Sequence, residues 1–295
     1  MKRKSILIVL SMVFFFGLFA ANLFAQDQDK QITPDKPAVQ EQRVIEEELV
    51  LSDPTVAGPK KWLIGLSAEY WYVYQQYNRY YDNGNEYSKG TLQGGMPGGT
   101  ITLGYDAFTV AYSYRKGSFD VESEFGRATG HPDARSTMQQ DQTEQEITLR
   151  WLFKGAKISP YLLIGYNHTT KTDTETLDAG HIWTYNSSRV KKTEFTYKSP
   201  LIGVGAIIPF NKYIGMRVDG RLLYSYTDYH ITDASRFDKT GNGVGGALVG
   251  TFYWNIWEGL NAQIGGKYQY LNGGNDIGAF EKFGAFGMLG YSFKF

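Results

Sequence analysis

The 295-residue sequence contains no cysteine. This excludes a disulfide framework, a thiolate metal site and a lipid-modified cysteine behind a signal sequence. Histidine is also scarce. His131, His168, His181 and His230 are scattered at no metal-ligand spacing, so neither a metal nor any other cofactor is expected. Charge of one sign is missing as well, with 30 basic and 30 acidic residues. Setting aside Lys2, Arg3 and Lys4 leaves 27 against 30, a net charge of −3, which gives no electrostatic reason to expect a nucleic-acid partner. Long hydrophobic runs are absent beyond the stretch from Ile6 to Ala21. No other segment approaches the roughly 18 apolar residues of a membrane helix, which excludes a helical membrane protein. Gly241, Gly243 and Gly246 match G-x-G-x-x-G, but they enter a strand pattern and no βαβ unit surrounds them, so nucleotide binding is not expected.

What is present is aromatic and glycine-rich: 16% Phe, Trp and Tyr, with 22 Tyr and 34 Gly. The basic start, the apolar run and Leu23-Phe24-Ala25 read as a signal peptide over 1–25. Residues 26–60 carry four prolines and the run Glu46-Glu47-Glu48, which reads as a disordered periplasmic tail with a short helix near 39–51. The remainder, 61–295, alternates throughout. In the last thirteen residues Phe283, Ala285, Gly287, Leu289, Tyr291, Phe293 and Phe295 share one parity, which is one strand with one greasy face.

The alternation predicts strands at 62–75, 99–105, 108–115, 143–153, 159–168, 193–208, 213–227, 243–254, 259–270 and 283–295. Short turns fall at Asp106-Ala107, 154–158, 209–212 and 255–258, and the intervening polar loops run 12 to 27 residues. The fold class is therefore all-β: a closed antiparallel transmembrane β-barrel of ten strands, with eight or twelve as alternatives. Parity assigns Ile214, Met216, Val218, Leu222, Tyr224 and Tyr226 to lipid. It assigns Arg217, Asp219, Arg221, Glu144, Glu146, Arg150 and Lys267 to the lumen, because a charge facing lipid near the midplane costs about 2–4 kcal/mol. Trp62, Trp151, Phe210, Trp254, Trp257 and Phe295 mark one interfacial girdle. Tyr72, Tyr74, Tyr112, Tyr114, Tyr166, Tyr224, Tyr226 and Tyr270 mark the other. Apolar parity switches between Phe195-Tyr197 and Ile202-Val204, which predicts a β-bulge at Ser199-Pro200.

The terminal strand with Phe295 last resembles the strand by which bacterial outer-membrane proteins are recognised for assembly. That resemblance implies the cell outer membrane as location, with its lipid and lipopolysaccharide as surroundings and the assembly machinery as a partner. Ten strands, Asp120-Val121-Glu122 after the third and Asp228-Tyr229-His230 after the seventh also resemble the omptin family of outer-membrane proteases. The resemblance implies that Asp228 orients His230 as a general base while Asp120 and Glu122 hold the attacking water. The family's usual second Asp is Glu122 here, and in an unbroken register all four residues share the lipid-facing parity. The function expected is non-enzymatic, either a narrow porin-like channel for small solutes or a surface protein binding an external ligand through its loops. The omptin-like protease is the alternative.

Overall fold

In the computed structural model the described residues are 62–80, 86–124, 135–153, 158–177, 189–231, 237–257, 259–272 and 279–294. The expected signal peptide, the tail, His131, His181 and Phe295 lie outside them. Ten strands form: β1 (Trp62–Tyr80), β2 (Glu86–Tyr105), β3 (Phe108–Glu124), β4 (Arg135–Leu152), β5 (Ser159–Leu177), β6 (Arg189–Pro209), β7 (Ile214–Ile231), β8 (Phe237–Trp257), β9 (Leu260–Asn272) and β10 (Ala279–Lys294). Each pairs antiparallel with its sequence neighbours, and β1 pairs with β10 to close the barrel. Closure leaves no unpaired edge, which a bilayer without water to satisfy backbone groups demands.

Two of the tight turns show their chemistry directly. The β2–β3 connection is the two-residue Asp106-Ala107, and Asp106 adopts a positive φ of 52°, a region Asp tolerates better than most residues. Gly259, at φ 92°, lies just before β9, where a Cβ would also run into the Ser292 carbonyl oxygen; glycine is the residue that fits.

Strands of 13 to 21 residues are longer than the membrane requires, since roughly 9–11 tilted residues span a bilayer. The exterior explains the surplus. Near the turns it carries an aromatic belt in which Trp62 packs on Tyr105 at 4.8 Å, Phe108 on Trp151 at 5.8 Å and Tyr291 on Phe293 at 4.7 Å. Above this lies an exposed apolar band that includes Leu66, Ile101, Leu103, Ile147, Ile164, Ile202, Ile264 and Leu289, followed by a second belt with Tyr72, Tyr114, Tyr166, Tyr226 and Tyr268. Beyond the tyrosines the outward parity turns polar: Lys116, Ser118, Gln139, Asp141, Lys192, Lys198 and Asp228 are exposed. The interior reverses at the same level. Below, charged Asp219 and Arg221 are buried beside Leu63, Tyr161, Leu163 and Ile207; above, Leu92, Met96, Phe119, Phe195, Tyr197, Leu271 and Phe280 are buried with Gln140, Lys171 and Asp173. Each half therefore hides from its own solvent what that solvent dissolves poorly, lipid below and water above.

This inversion corrects two expectations. The strands extend past their expected loop-side ends, most of all β2, which begins at Glu86 instead of 99; beyond the membrane their alternation has the opposite polarity and escapes a search for greasy outward faces. The bulge at Ser199-Pro200 is also absent. β6 keeps one register with β7 from Thr193↔Ile231 to Pro209↔Gly215, the ladder only skipping Ser199 and Pro200. Phe195 and Tyr197 point into the barrel core, and Ile202 and Val204 point to lipid. Register irregularities occur at Arg79/Tyr80 and Asn255/Trp257 instead.

Candidate functional site

The lumen is crossed by a buried ion-pair network at the height of the upper tyrosine belt, since its members Glu69, Arg115 and Lys267 adjoin Tyr70, Tyr114 and Tyr268 in sequence. Glu144 and Glu146 on β4 are its anionic centre. Arg115 Nη1 donates to Glu144 Oε1 at 3.2 Å, and Lys267 Nζ donates to the same oxygen at 3.2 Å. Lys282 also donates to Glu144. Glu146 accepts from Arg221 Nη1 at 2.8 Å and lies 3.4 Å from Lys267 Nζ. Arg221 holds Asp219 as well, and Tyr161 donates to Asp219 Oδ2 at 3.0 Å.

These contacts span the tube. β4 and β9 stand five places apart in a ring of ten, so the Glu144–Lys267 and Glu146–Lys267 pairs join opposite walls. Glu69, Arg115, Glu144, Glu146, Asp219, Arg221, Lys267 and Lys282 are each no more than 8% exposed. Four carboxylates and four cations therefore balance, which lowers the heavy cost of burying charge. An aromatic pair seals the network: Trp71 stacks on Phe286 at 4.4 Å, Arg115 Cζ lies 4.5 Å from the Trp71 ring centre, and the indole donates to Glu69 Oε2 at 2.8 Å. Gly284 makes room for Trp71, whose Cε3 would sit 2.8 Å from a Cβ there.

Above the network, apolar and aromatic side chains share the interior with buried Gln75, Gln140, Gln142, Lys171 and Asp173. Tyr197 meets Phe280 edge-on at 5.3 Å, Phe195 packs on Tyr229 at 4.9 Å, and Lys171 Nζ stands 3.8 Å from the Phe280 ring centre. A ten-stranded barrel is close to the size that side chains alone can fill. On the turn side of the network a cavity of about 80 Å³ remains, with Arg150 and Arg217 among its walls. Of the residues expected in the lumen, Glu144, Glu146, Asp219, Arg221 and Lys267 are buried in the network, and Arg150 and Arg217 line the cavity. Glu69, Trp71, Arg115 and Lys282 were missed, although each occupies the parity opposite an outward tyrosine or phenylalanine, Tyr70, Tyr72, Tyr114 and Phe283.

The four omptin-like positions fall on two strands, β3 and β7. Asp120 and Glu122 lie within β3, whose pairing with β4 runs without a shift from Phe108 to Glu124, so they hold the register parity of Tyr112 and Tyr114. Asp228 and His230 lie on β7 at the parity of Tyr224 and Tyr226, again without a shift. Asp228 is on the outer wall, where its Oδ2 accepts from Lys198 Nζ at 2.8 Å with both side chains about half exposed. Gly241, Gly243 and Gly246 lie inside β8. Among the described residues no group of three or more His, Cys, Asp or Glu could hold a metal.

The same architecture occurs in solved structures. The outer membrane protease OmpT from Escherichia coli matches at a TM-score of 0.57 and 11% identity, over 80% of this chain and 97% of that one. This chain has the closed-barrel fold of that bacterial outer-membrane protein. At such low identity the likeness to OmpT extends to the fold alone. The translocator domain of the autotransporter NalP from Neisseria meningitidis matches at a TM-score of 0.49 and 10% identity, over 87% of this chain and 95% of that one. No protein-family model and no curated protein matches the sequence.

Proposed function

We propose that this outer-membrane barrel is a sealed scaffold that acts from its extramembrane wall and loops instead of passing solutes through its lumen. One observation carries the reading: Lys267 on β9 reaches Glu144 and Glu146 on the opposite wall, with the Phe195–Tyr197–Phe280 layer above. A permeating ion would have to break several buried, mutually neutralising pairs and then pass a layer packed with aromatic side chains. Strands rising beyond the tyrosine belt give the loops a rigid base, the usual arrangement when loops carry recognition. Exposed lysines just above that belt, such as Lys116 and Lys198, suit contact with lipopolysaccharide phosphates. The β10 strand, which closes on β1, is the segment offered to the assembly machinery. The test is conductance of the refolded protein in planar bilayers. The sealed scaffold predicts no discrete steps; steps of defined size in the wild type would contradict it.

The fold likeness to OmpT supports a second reading, an omptin-like peptidase using Asp120, Glu122, Asp228 and His230. It predicts cleavage of a quenched peptide library by the wild type that His230→Ala and Asp228→Ala both abolish. The outward parity of both motifs weighs against it.

A further inference from the structure

The lipid-facing wall has a notch. On the outer face of β1, β2 and β3 a groove of about 420 Å³ is lined by Leu66, Ala68, Gly99, Ile101, Tyr112 and Tyr114. Strand register explains it. Leu66, Ile101 and Tyr112 form one row across the three strands, and Ala68, Gly99 and Tyr114 form the row above. The upper row therefore has almost no side chain on two of its three strands, while bulky groups stand below and beside it. Tyr70, the next outward residue on β1, leans up and across to β2, where its hydroxyl takes the place of a Cβ at Gly95, above Gly99. The gap at Ala68 and Gly99 stays open to the outside. Lys116 is exposed and is the next outward residue beyond Tyr114 on β3, about 7 Å farther along the strand.

We propose that this notch holds one acyl chain of an anionic lipid from the loop-side leaflet, with the lipid phosphate on Lys116. The lining is apolar where the outer wall is apolar, and it ends at Tyr112 and Tyr114, in the belt that marks the interface. A cation just above an apolar groove follows the order in which a lipid presents its phosphate and its chain. Burial alone gives no preference, since lipid tails are as apolar as the wall. Retention comes from dispersion contacts with a rigid concave surface, contacts that a void would forfeit. Selection for an anionic headgroup comes from Lys116. The site requires that the barrel stand in a bilayer, as the proposed scaffold does, but not that the lumen be sealed, so lipid binding and the absence of conductance fail separately.

The test is native mass spectrometry of the detergent-folded full chain with dimyristoyl phosphatidylglycerol or dimyristoyl phosphatidylcholine, which share their chains and differ in net charge. The expected result is a one-to-one adduct that favours phosphatidylglycerol. Lys116→Gln should reduce that preference about fivefold, and Lys116→Arg should keep it. Ala68→Leu fills the notch and should weaken both lipids alike. Gly250→Leu adds the same kind of bulk to open space on the β8 outer wall and should change neither. Equal binding of the two lipids by the wild type overturns the proposal, as does an Ala68→Leu variant that binds like the wild type. A protein dimer in place of the lipid adduct, broken by Ala68→Leu, also overturns it and assigns the groove to a second copy of the chain.

Discussion

Glu144→Gln probes the centre of the lumen network with almost no change of shape. In the structure one carboxylate serves three cations, Arg115, Lys267 and Lys282, and is 2% exposed. The substitution leaves four buried cations against three carboxylates in the network. Removing one partner of a buried ion pair costs about 3–5 kcal/mol, mostly from stranding the other charge. The three contacts share one group, so the loss should fall in that range instead of tripling it. Urea unfolding of the detergent-folded barrel, followed by tryptophan fluorescence, reads the change directly. Lys198→Ala, which removes the half-exposed pair with Asp228, is the control and should cause no measurable loss. The double variant Glu144→Gln, Lys282→Met restores the charge count, so it should be more stable than the two single losses predict, by about 0.5–3 kcal/mol. A Glu144→Gln variant no less stable than Lys198→Ala would refute the reasoning. It would mean that the network is wet and the lumen open.

Three further outcomes follow from the packing. Gly284→Val should cost about 1–3 kcal/mol by driving a side chain into Trp71, whereas Gly287→Ala, with nothing within 4 Å, should be nearly silent in the same unfolding assay. Ile202→Arg should cost about 2–4 kcal/mol in lipid, while Thr196→Arg, on the same strand and parity but above the tyrosine belt, should be tolerated. Phe195→Ala should cost about 3–5 kcal/mol, because the ring fills the extramembrane core against Tyr197 and Tyr229.

The sequence made the membrane half of the barrel legible because one rule governs it: apolar residues face lipid and polar ones face the lumen. On β7 that rule separates Val218 and Leu222 from Asp219 and Arg221, and the structure has the same separation. The rule fails where the solvent changes. On β6, Phe195 and Tyr197 look like a continuation of the lipid face with a slipped parity, but they are core residues of a segment surrounded by water. Nothing local in Phe195-Thr196-Tyr197 distinguishes the two cases; the register with Tyr229, Asp228 and Thr227 across the ladder does. The lumen charges were legible one by one, but their pairing was not. Glu144 and Lys267 are 123 residues apart and meet only because closure sets β4 opposite β9.

The inversion of barrel polarity at the tyrosine belt is tested most directly by a cysteine scan of β6 from 192 to 208, for which a chain without cysteine is a clean background. Each variant, folded in lipid, is labelled with a fluorophore and challenged with a water-soluble and a lipid-soluble quencher. The account predicts one unbroken parity. Even positions from 192 to 198 should be quenched from water, even positions from 202 to 208 should be quenched from lipid, and odd positions throughout should be protected from both. Lipid quenching at 195 and 197, with the exposed parity switching across 199–200, would contradict it and restore a bulge in place of an inverted, water-bathed upper barrel.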